Sequence, residues 1–162
     1  TKISGYSLKD EHIFDTRYVF FVVGSGGFGG NSGPKTENIP PPVDKKPDFS
    51  FPYQTSPNQA ALYRLNGDLN PLHIDPKFAK KAGQPKPILH GLCTYGIATR
   101  AIVYGLCDGD VSRLQEFNAR FKDVVFPGDF LITEGWKDNG RYIIQVRKED
   151  TIVLGNAYAI VK

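Results

Sequence analysis

Residues 63–83 contain the side chains that acid–base chemistry needs. The segment reads YRLNGDLNPLHIDPKFAKKAG, and around one proline it holds four polar residues: Asp68, Asn70, His73 and Asp75. Histidine has the side-chain pKa closest to neutrality and aspartate is ionised at pH 7, so together they can accept a proton from water and return one elsewhere. Because Pro71 fixes the backbone between Asp68 and His73, we expect both side chains to face one cavity.

The same segment is compatible with other interpretations. GDLNP is also typical of a turn after a helix, in which Asp and Asn side chains bond to nearby backbone amides. His73, Asp75 and His90 could form a metal site, but no two of them have a recognised ligand spacing, so we expect no metal. A serine or cysteine hydrolase is disfavoured because G-x-S-x-G is missing and Cys93 falls on a predicted helix, where it is expected in the core.

Two predicted helices flank the segment. The first covers residues 57–66, with Ser56 as its N-cap, Gln59 closing a capping box and Gly67 ending it. The second covers residues 88–106, where apolar residues recur at three- and four-residue steps. Its small glycine and alanine residues predict that it packs closely against a sheet.

Beyond residue 112 the apolar period changes to two, which predicts four strands: RLQEFNARFKDVV (113–125), FLITEGWKD (130–138), RYIIQVRKE (141–149) and TIVLGNAYAIV (151–161). Asn139-Gly140 is the favoured two-residue hairpin turn. We expect these strands to form an antiparallel meander. One long apolar helix cradled by an antiparallel sheet is an α+β arrangement.

A glycine-rich stretch near the N-terminus has the spacing of a dinucleotide-binding turn. Gly24, Gly26 and Gly29 fit G-x-G-x-x-G after a predicted strand at residues 17–23. Such a site needs a helix directly after the glycines, because its N-terminal amides hold the pyrophosphate. Four prolines within residues 34–42 oppose that helix. We therefore expect a hinge or an extended connector, and no nicotinamide or flavin cofactor.

Composition excludes several classes of protein. The 162 residues, of which 40% are hydrophobic and 23% charged, fit one globular domain with an appendage. The net charge of +3 is carried by scattered Lys and Arg, so we expect no nucleic-acid partner. No apolar run approaches the roughly 20 residues that span a bilayer.

Two further features bear on the origin of the chain. It contains no methionine, so we expect it to be an excerpt from a longer polypeptide. Cys93 and Cys107 would be about 21 Å apart along the predicted helix, which is too far for a disulfide. Reduced cysteines suit an intracellular compartment.

The segment 63–83, followed by PILHGLCTYG, resembles the hydratase 2 motif of the (R)-specific enoyl-CoA hydratases, which are MaoC-like proteins of the hot-dog fold. The resemblance covers residues 53–162 and implies a sheet wrapped around a long central helix. GGFGG also resembles the segment joining the two halves of the eukaryotic double hot-dog hydratases, as in the peroxisomal type 2 multifunctional enzymes. Residues 1–52 are then expected to be a strand and connector left from a preceding hot-dog half. Asn66 departs from the family, which usually has a small hydroxyl residue there.

The resemblance implies a lyase that adds water to a trans-2-enoyl-CoA and gives a (3R)-3-hydroxyacyl-CoA, with no cofactor besides the CoA of the substrate. By resemblance, Asp68 and His73 hold the water and move the protons, while Asn70 orients them. The backbone N–H of Gly91 is the implied oxyanion donor. Residues expected to contact the acyl-CoA are Leu69, Pro71, Leu72 and Phe121. A core position in a strand is as good an interpretation of Phe121, and His90 is expected to have a structural role beside the helix start.

Partners and location are implied by the same resemblance. We expect an acyl-CoA substrate in fatty-acid β-oxidation, a peroxisomal location, and a homodimer or pairing with a second hot-dog half. Four basic residues are candidates for the CoA phosphates: Lys81, Lys86, Arg120 and Lys122. An acyl-CoA thioesterase and a non-catalytic acyl-CoA-binding module on the same fold remain alternatives.

Overall fold

A computed structural model describes residues 1–17, 24, 26–31 and 37–162. The chain divides into two compact units, residues 1–36 and 37–162. In the first unit, strands β1 (Lys2–Tyr6) and β2 (His12–Arg17) form an antiparallel hairpin, which the sequence did not predict. All but the first residue of the strand expected at residues 17–23 lies outside the described residues.

The second unit is built on a five-stranded antiparallel sheet with the strand order β3-β5-β6-β7-β4. Its strands are β3 (Phe49–Gln54), β4 (Leu114–Phe121), β5 (Phe130–Asp138), β6 (Arg141–Lys148) and β7 (Thr151–Val161). The predicted meander is confirmed for β5, β6 and β7. Both residues of the β5–β6 turn, Asn139 and Gly140, have positive φ (42° and 82°), which fits the expected hairpin turn.

The expected position of β4 is wrong. This strand pairs with β7 at the far edge of the sheet and does not neighbour β5. The place beside β5 is taken by β3, whose register runs from Phe49 opposite Gly135 to Gln54 opposite Phe130. Because the sequence did not reveal β3, the meander was extended one strand too far.

The second unit begins at Glu37, whereas the sequence placed the domain boundary at residue 53. Ile39 is 6% exposed and packs against Trp136 and Ile143, and its N–H donates to the Asn156 side chain at 2.6 Å. Prolines prevent a helix here but allow the extended backbone that lies on the sheet. No helix occurs between residue 37 and β3 in this fully described stretch.

Three α-helices complete this unit: α1 (Gln59–Tyr63), α2 (Pro76–Lys81) and α3 (Gly91–Leu106). The long predicted helix is confirmed as α3, but it begins at Gly91 because the preceding backbone is extended and the Leu89 N–H donates to the Val125 carbonyl at 2.7 Å. One face of α3 joins the core formed with the sheet. The α+β class is therefore confirmed. In the described part of the chain, no helix has the length and apolarity needed to cross a membrane.

The caps of α1 differ in detail from the expectation. The N-cap is Asn58, not Ser56, although the Gln59 side chain accepts the Ser56 N–H at 3.4 Å, as in a capping box. A 3-10 turn, Arg64–Asn66, continues α1 to the expected end. Gly67 has φ = 108°, a left-handed conformation that suits glycine, and it ends the helical segment as predicted.

Candidate active site

The loop after Gly67 is held by its own polar side chains. Asp68 Oδ1 accepts the Asn70 N–H at 3.2 Å, and Asn70 Oδ1 accepts the Leu72 N–H at 3.0 Å. Asn70 thereby caps a 3-10 turn, Pro71–His73, with the proline in its first position. The turn interpretation of GDLNP is thus correct, and it coexists with a catalytic interpretation because each of these side chains keeps further hydrogen-bonding capacity.

Asp75 does not belong to the site. Its Oδ1 accepts the N–H groups of Lys77 at 2.8 Å and Phe78 at 3.3 Å, which makes it the N-cap of α2. The sequence analysis missed this short helix, although an Asp N-cap followed by Pro76 is a recognisable start signal. The metal set that included Asp75 is therefore not assembled.

His73 is 8% exposed and has a defined tautomer. Its Nδ1 lies 2.8 Å from the Ile88 carbonyl oxygen. A carbonyl oxygen only accepts hydrogen bonds, so Nδ1 carries the proton and Nε2 of the neutral ring keeps its lone pair. That lone pair is what a general base requires.

His90 is almost completely buried, with 1% of its surface exposed. Its Nε2 lies 3.2 Å from the Asp68 carbonyl oxygen and therefore donates to it. The His90 ring stacks on His73 with 3.7 Å between centroids, and it also contacts Tyr63 at 4.8 Å. Desolvation by burial lowers the pKa of His90 below its usual value of 6.5, which favours the neutral ring near pH 7.

Asp68, His73 and His90 form a cluster in which candidate ligand atoms lie within 4.8 Å of one another. This spacing allows the Asp68 carboxylate and the His73 ring to contact one water molecule. An imidazole binds a metal through an in-plane lone pair. The His73 and His90 rings are stacked with an interplanar angle of only 26°, so their lone pairs do not converge on one ion. The cluster is better suited to proton transfer than to metal binding.

Gly91 is the first residue of α3 and is exposed. Its N–H has no hydrogen-bond partner among the residues that the structure describes, and it lies at the positive end of the helix dipole. A Cβ at this position would lie 3.3 Å from Cε1 and Cζ of Phe121. Phe121 is 48% exposed, so it is a surface aromatic beside the helix start rather than a core residue.

Two clefts border the site. His73 lines a cleft of about 270 Å³, whose other walls include Ala61, Ile74 and Lys86. Gly91 and Phe121 line a second cleft of about 170 Å³. Its other walls are mainly apolar but include one carboxylate: Ile88, Leu89, Thr94, Asp123, Val124, Val125 and Val153. Ile88 links the two clefts, since it lines the second and its carbonyl holds His73, which lines the first.

The structure separates the predicted substrate contacts. Phe121 lines the second cleft, whereas Leu69, Pro71 and Leu72 line neither of the two clefts. Leu69 is 61% exposed, and its carbonyl accepts an N–H of Arg64 at 3.1 Å. Of the four basic candidates for the CoA phosphates, Lys86 shares the cleft with His73.

Comparison with known proteins supports the same assignment of fold. The family described as MaoC like domain matches residues 38–157. A probable enoyl-CoA hydratase 2 of Dictyostelium discoideum is 46% identical over 154 residues, covering 93% of this chain and 52% of that protein. Peroxisomal multifunctional enzyme type 2 of Mus musculus is 46% identical over 159 residues, covering 96% of this chain and 22% of that protein. The chain thus spans about half of the first relative and less of the second.

A solved structure agrees with the sequence relatives. Full-length peroxisomal multifunctional enzyme type 2 from Drosophila melanogaster superposes with a TM-score of 0.82 at 34% identity, covering 98% of this chain and 29% of that one. The helix packed on a five-stranded antiparallel sheet is therefore a hot-dog fold, and the chain belongs to the MaoC-like domain family.

Proposed function

We propose that this chain carries the active site of an (R)-specific 2-enoyl-CoA hydratase, a lyase that converts trans-2-enoyl-CoA and water into (3R)-3-hydroxyacyl-CoA in fatty-acid β-oxidation. Relatives named as enoyl-CoA hydratases, at 44–46% identity, support it. The observation that carries the proposal is the close approach of the Asp68 carboxylate and the His73 imidazole. A general acid–base pair needs this spacing to share one water molecule.

The proposed reaction needs one water and two proton transfers. A water bound by Asp68 and His73 loses a proton to this pair while its oxygen attacks Cβ. The pair returns one proton to Cα, so hydroxide is added to one carbon, a proton to the other, and the residues end as they began. The lone pair on Nε2 of neutral His73 is consistent with the first of these transfers. Every atom of the product comes from the substrate and water, so the proposal requires no resident cofactor or metal.

Gly91 is the proposed oxyanion donor. Negative charge develops on the thioester oxygen as the enolate forms, and a backbone N–H at a helix start is placed to stabilise it. Gly91 is an exposed residue and its N–H has no partner in the described part of the chain, so it is available for this role. The aromatic and apolar walls of the adjoining cleft suit the acyl group of the substrate.

We extend the proposal to partners and location. The substrate is an acyl-CoA thioester, and the chain pairs with a second hot-dog half or with another copy of itself. Relatives named as peroxisomal proteins in mouse, Arabidopsis and Drosophila support a peroxisomal location.

The proposal is tested by measuring hydration of crotonyl-CoA and of a long-chain enoyl-CoA through the loss of enoyl absorbance, with chiral analysis of the product. We expect the (3R) product, and we expect Asp68→Asn and His73→Gln each to reduce turnover by about 10²- to 10⁴-fold. Asp75→Asn is the matched control, because it makes the same change at a carboxylate that caps α2 and an asparagine can also serve as an N-cap.

Wild-type turnover in either Asp68→Asn or His73→Gln would contradict the proposal. A thiol reagent added to the same assay detects free CoA. Its release without hydration would identify a thioesterase on this fold. Binding without either reaction would identify an acyl-CoA-binding module.

A further inference from the structure

His90 contacts several parts of the site although the proposed reaction assigns it no step. It is the N-cap residue of α3 and directly precedes the proposed oxyanion donor, Gly91. Its side chain reaches back to the loop that carries Asp68, and its ring lies against His73. One buried side chain therefore joins the proton-handling pair to the helix start.

The hydrogen bonds of His90 are not those of an ordinary core residue. Nε2 donates to the Asp68 carbonyl at 3.2 Å, while Nδ1 is buried and has no hydrogen-bond partner among the described residues. A buried acceptor without a partner costs stability, so a hydrocarbon side chain would fill this space at lower cost. What a hydrocarbon lacks is the N–H that holds the Asp68 backbone.

Burial favours the neutral form of His90, and it outweighs the opposing effect of Asp68. Desolvation lowers the pKa of His90 most, His73 and Arg64 lower it further, and Asp68 raises it. Tyr63 and His73 are the rings that contact it. Protonation would place a charge on a ring that is 1% exposed and 3.7 Å from the His73 ring, and it would add a second N–H at the position that now has no partner. The neutral ring with Nε2 protonated is the form that fits these surroundings.

We propose that His90 is a positioning residue for hydration: its N–H fixes the Asp68 loop and its ring supports His73, so that the water, the proton carriers and the Gly91 amide stay in register. This inference rests on the proposed function. A displacement of about 1 Å in such a constellation can cost 10²-fold in rate, so the effect of losing His90 is measurable without direct contact between His90 and substrate.

Two substitutions separate the contributions of the N–H and of the ring. His90→Phe keeps a planar ring for stacking but removes the donor to Asp68. His90→Gln removes the ring but carries an amide N–H that can reach the same carbonyl. We expect His90→Phe to lower kcat for crotonyl-CoA by about 10- to 100-fold. His90→Gln should recover a large part of that loss. If His90→Phe does not fold, His90→Asn takes its place as the variant without a donor to Asp68. Its side chain is one methylene shorter than that of His90→Gln.

Ile102→Val is the matched control for stability, since Ile102 is a fully buried residue of the same helix and lies outside the site. Rates are compared at equal folded fraction, and the pH–rate profile is recorded for each variant. A loss of folded protein lowers the profile uniformly, whereas a displaced Asp68–His73 pair also moves its midpoint along the pH axis. We expect the midpoint to move in His90→Phe and to stay in place in Ile102→Val.

The outcomes distinguish a failure of the His90 inference from a failure of the proposed function. Hydration by the wild type, together with equal rates and equal midpoints in His90→Phe and Ile102→Val, would overturn this inference and leave the proposed function intact. A His90→Gln variant no more active than His90→Phe would also overturn it. Failure of the wild type to hydrate any enoyl-CoA would overturn the proposed function, and the inference with it.

Discussion

Substitution of Gly91 tests the proposed oxyanion site with little disturbance of the fold. A Cβ at this position would lie 3.3 Å from Cε1 and Cζ of Phe121 and 3.6 Å from Cδ1. The ring of Phe121 is 48% exposed, so it can yield by the few tenths of an ångström that an alanine requires. Valine adds two methyl groups that extend farther toward the ring and the N–H, where the thioester oxygen is proposed to bind.

The expected loss of kcat follows from the free energy by which one oxyanion donor stabilises the transition state. Losing such a donor costs about 2.7–4 kcal/mol of transition-state stabilisation, or about 10²- to 10³-fold in kcat. We expect Gly91→Val to approach that range and Gly91→Ala to lie between it and the wild type. The stability of Gly91→Ala should change little, because alanine loses less backbone freedom on folding than glycine, which offsets the crowding of Phe121. Activity and stability should therefore separate.

The assay combines crotonyl-CoA hydration with urea unfolding of the same preparations. Gly96→Ala is the matched control, because Gly96 lies in the same helix and a Cβ there would meet nothing within 4 Å. We expect this control to keep wild-type activity and to be slightly more stable. If Gly91→Val hydrates as fast as Gly96→Ala, the thioester does not use the Gly91 amide and the oxyanion role is refuted.

Three further predictions concern the stability and reactivity of the fold. Burial lowers the pKa of His90, so the unfolded chain binds a proton at His90 more readily than the folded chain, and the free energy of unfolding should fall as pH drops through and below 6.5. Denaturant titrations at several pH values should show a weaker fall in His90→Gln, and an equal fall in both proteins would contradict the burial argument. Cys93 and Cys107 are buried, and desolvation raises the pKa of Cys93 to about 11, so a thiol reagent at pH 8 should label both in urea and neither in the folded protein. A Cβ at Gly135 would lie 2.0 Å from Cε1 of Phe49, so Gly135→Ala should lower the free energy of unfolding in urea by about 1–3 kcal/mol. The loss should be smaller when Phe49 is replaced by leucine, and an equal loss in both backgrounds would exclude this clash as the cause.

The elements predicted from the sequence are those whose patterns extend over many residues. Strands β5 and β7 match the predicted ranges, and α3 differs only at its start, because each repeats a period several times. By contrast, β3 is short, contains Pro52 and follows a proline-rich segment. Proline is tolerated in edge strands, and β3 is an edge strand, so the signal that argued against a strand is explained by its place in the sheet.

The site was only partly accessible from the sequence. Asp68 and His73 could be paired because their residue types and spacing allow acid–base chemistry. Gly91 came from the family resemblance, since a free backbone N–H leaves no mark in residue types. The hold on His73 by the Ile88 carbonyl could not be predicted for the same reason. Asp75 stood beside Asp68 and His73 in the polar segment without a catalytic role, and the sequence alone could not identify it as a cap, because an aspartate that caps a helix has the same residue type as one that moves protons.

Residues 88–91 explain why the parts of the site occur together. Ile88 forms two hydrogen bonds with the end of the loop that carries Asp68. Its N–H donates to the Leu72 carbonyl at 3.4 Å, and its carbonyl accepts from Nδ1 of His73 at 2.8 Å. His90 donates to the Asp68 carbonyl, and Gly91 begins α3. Within four residues, one short segment of backbone thus contacts both ends of the loop that carries Asp68 and sets its distance from the helix start. An insertion or deletion here would change that distance by up to about 3.3 Å per residue, which is far more than acid–base geometry tolerates.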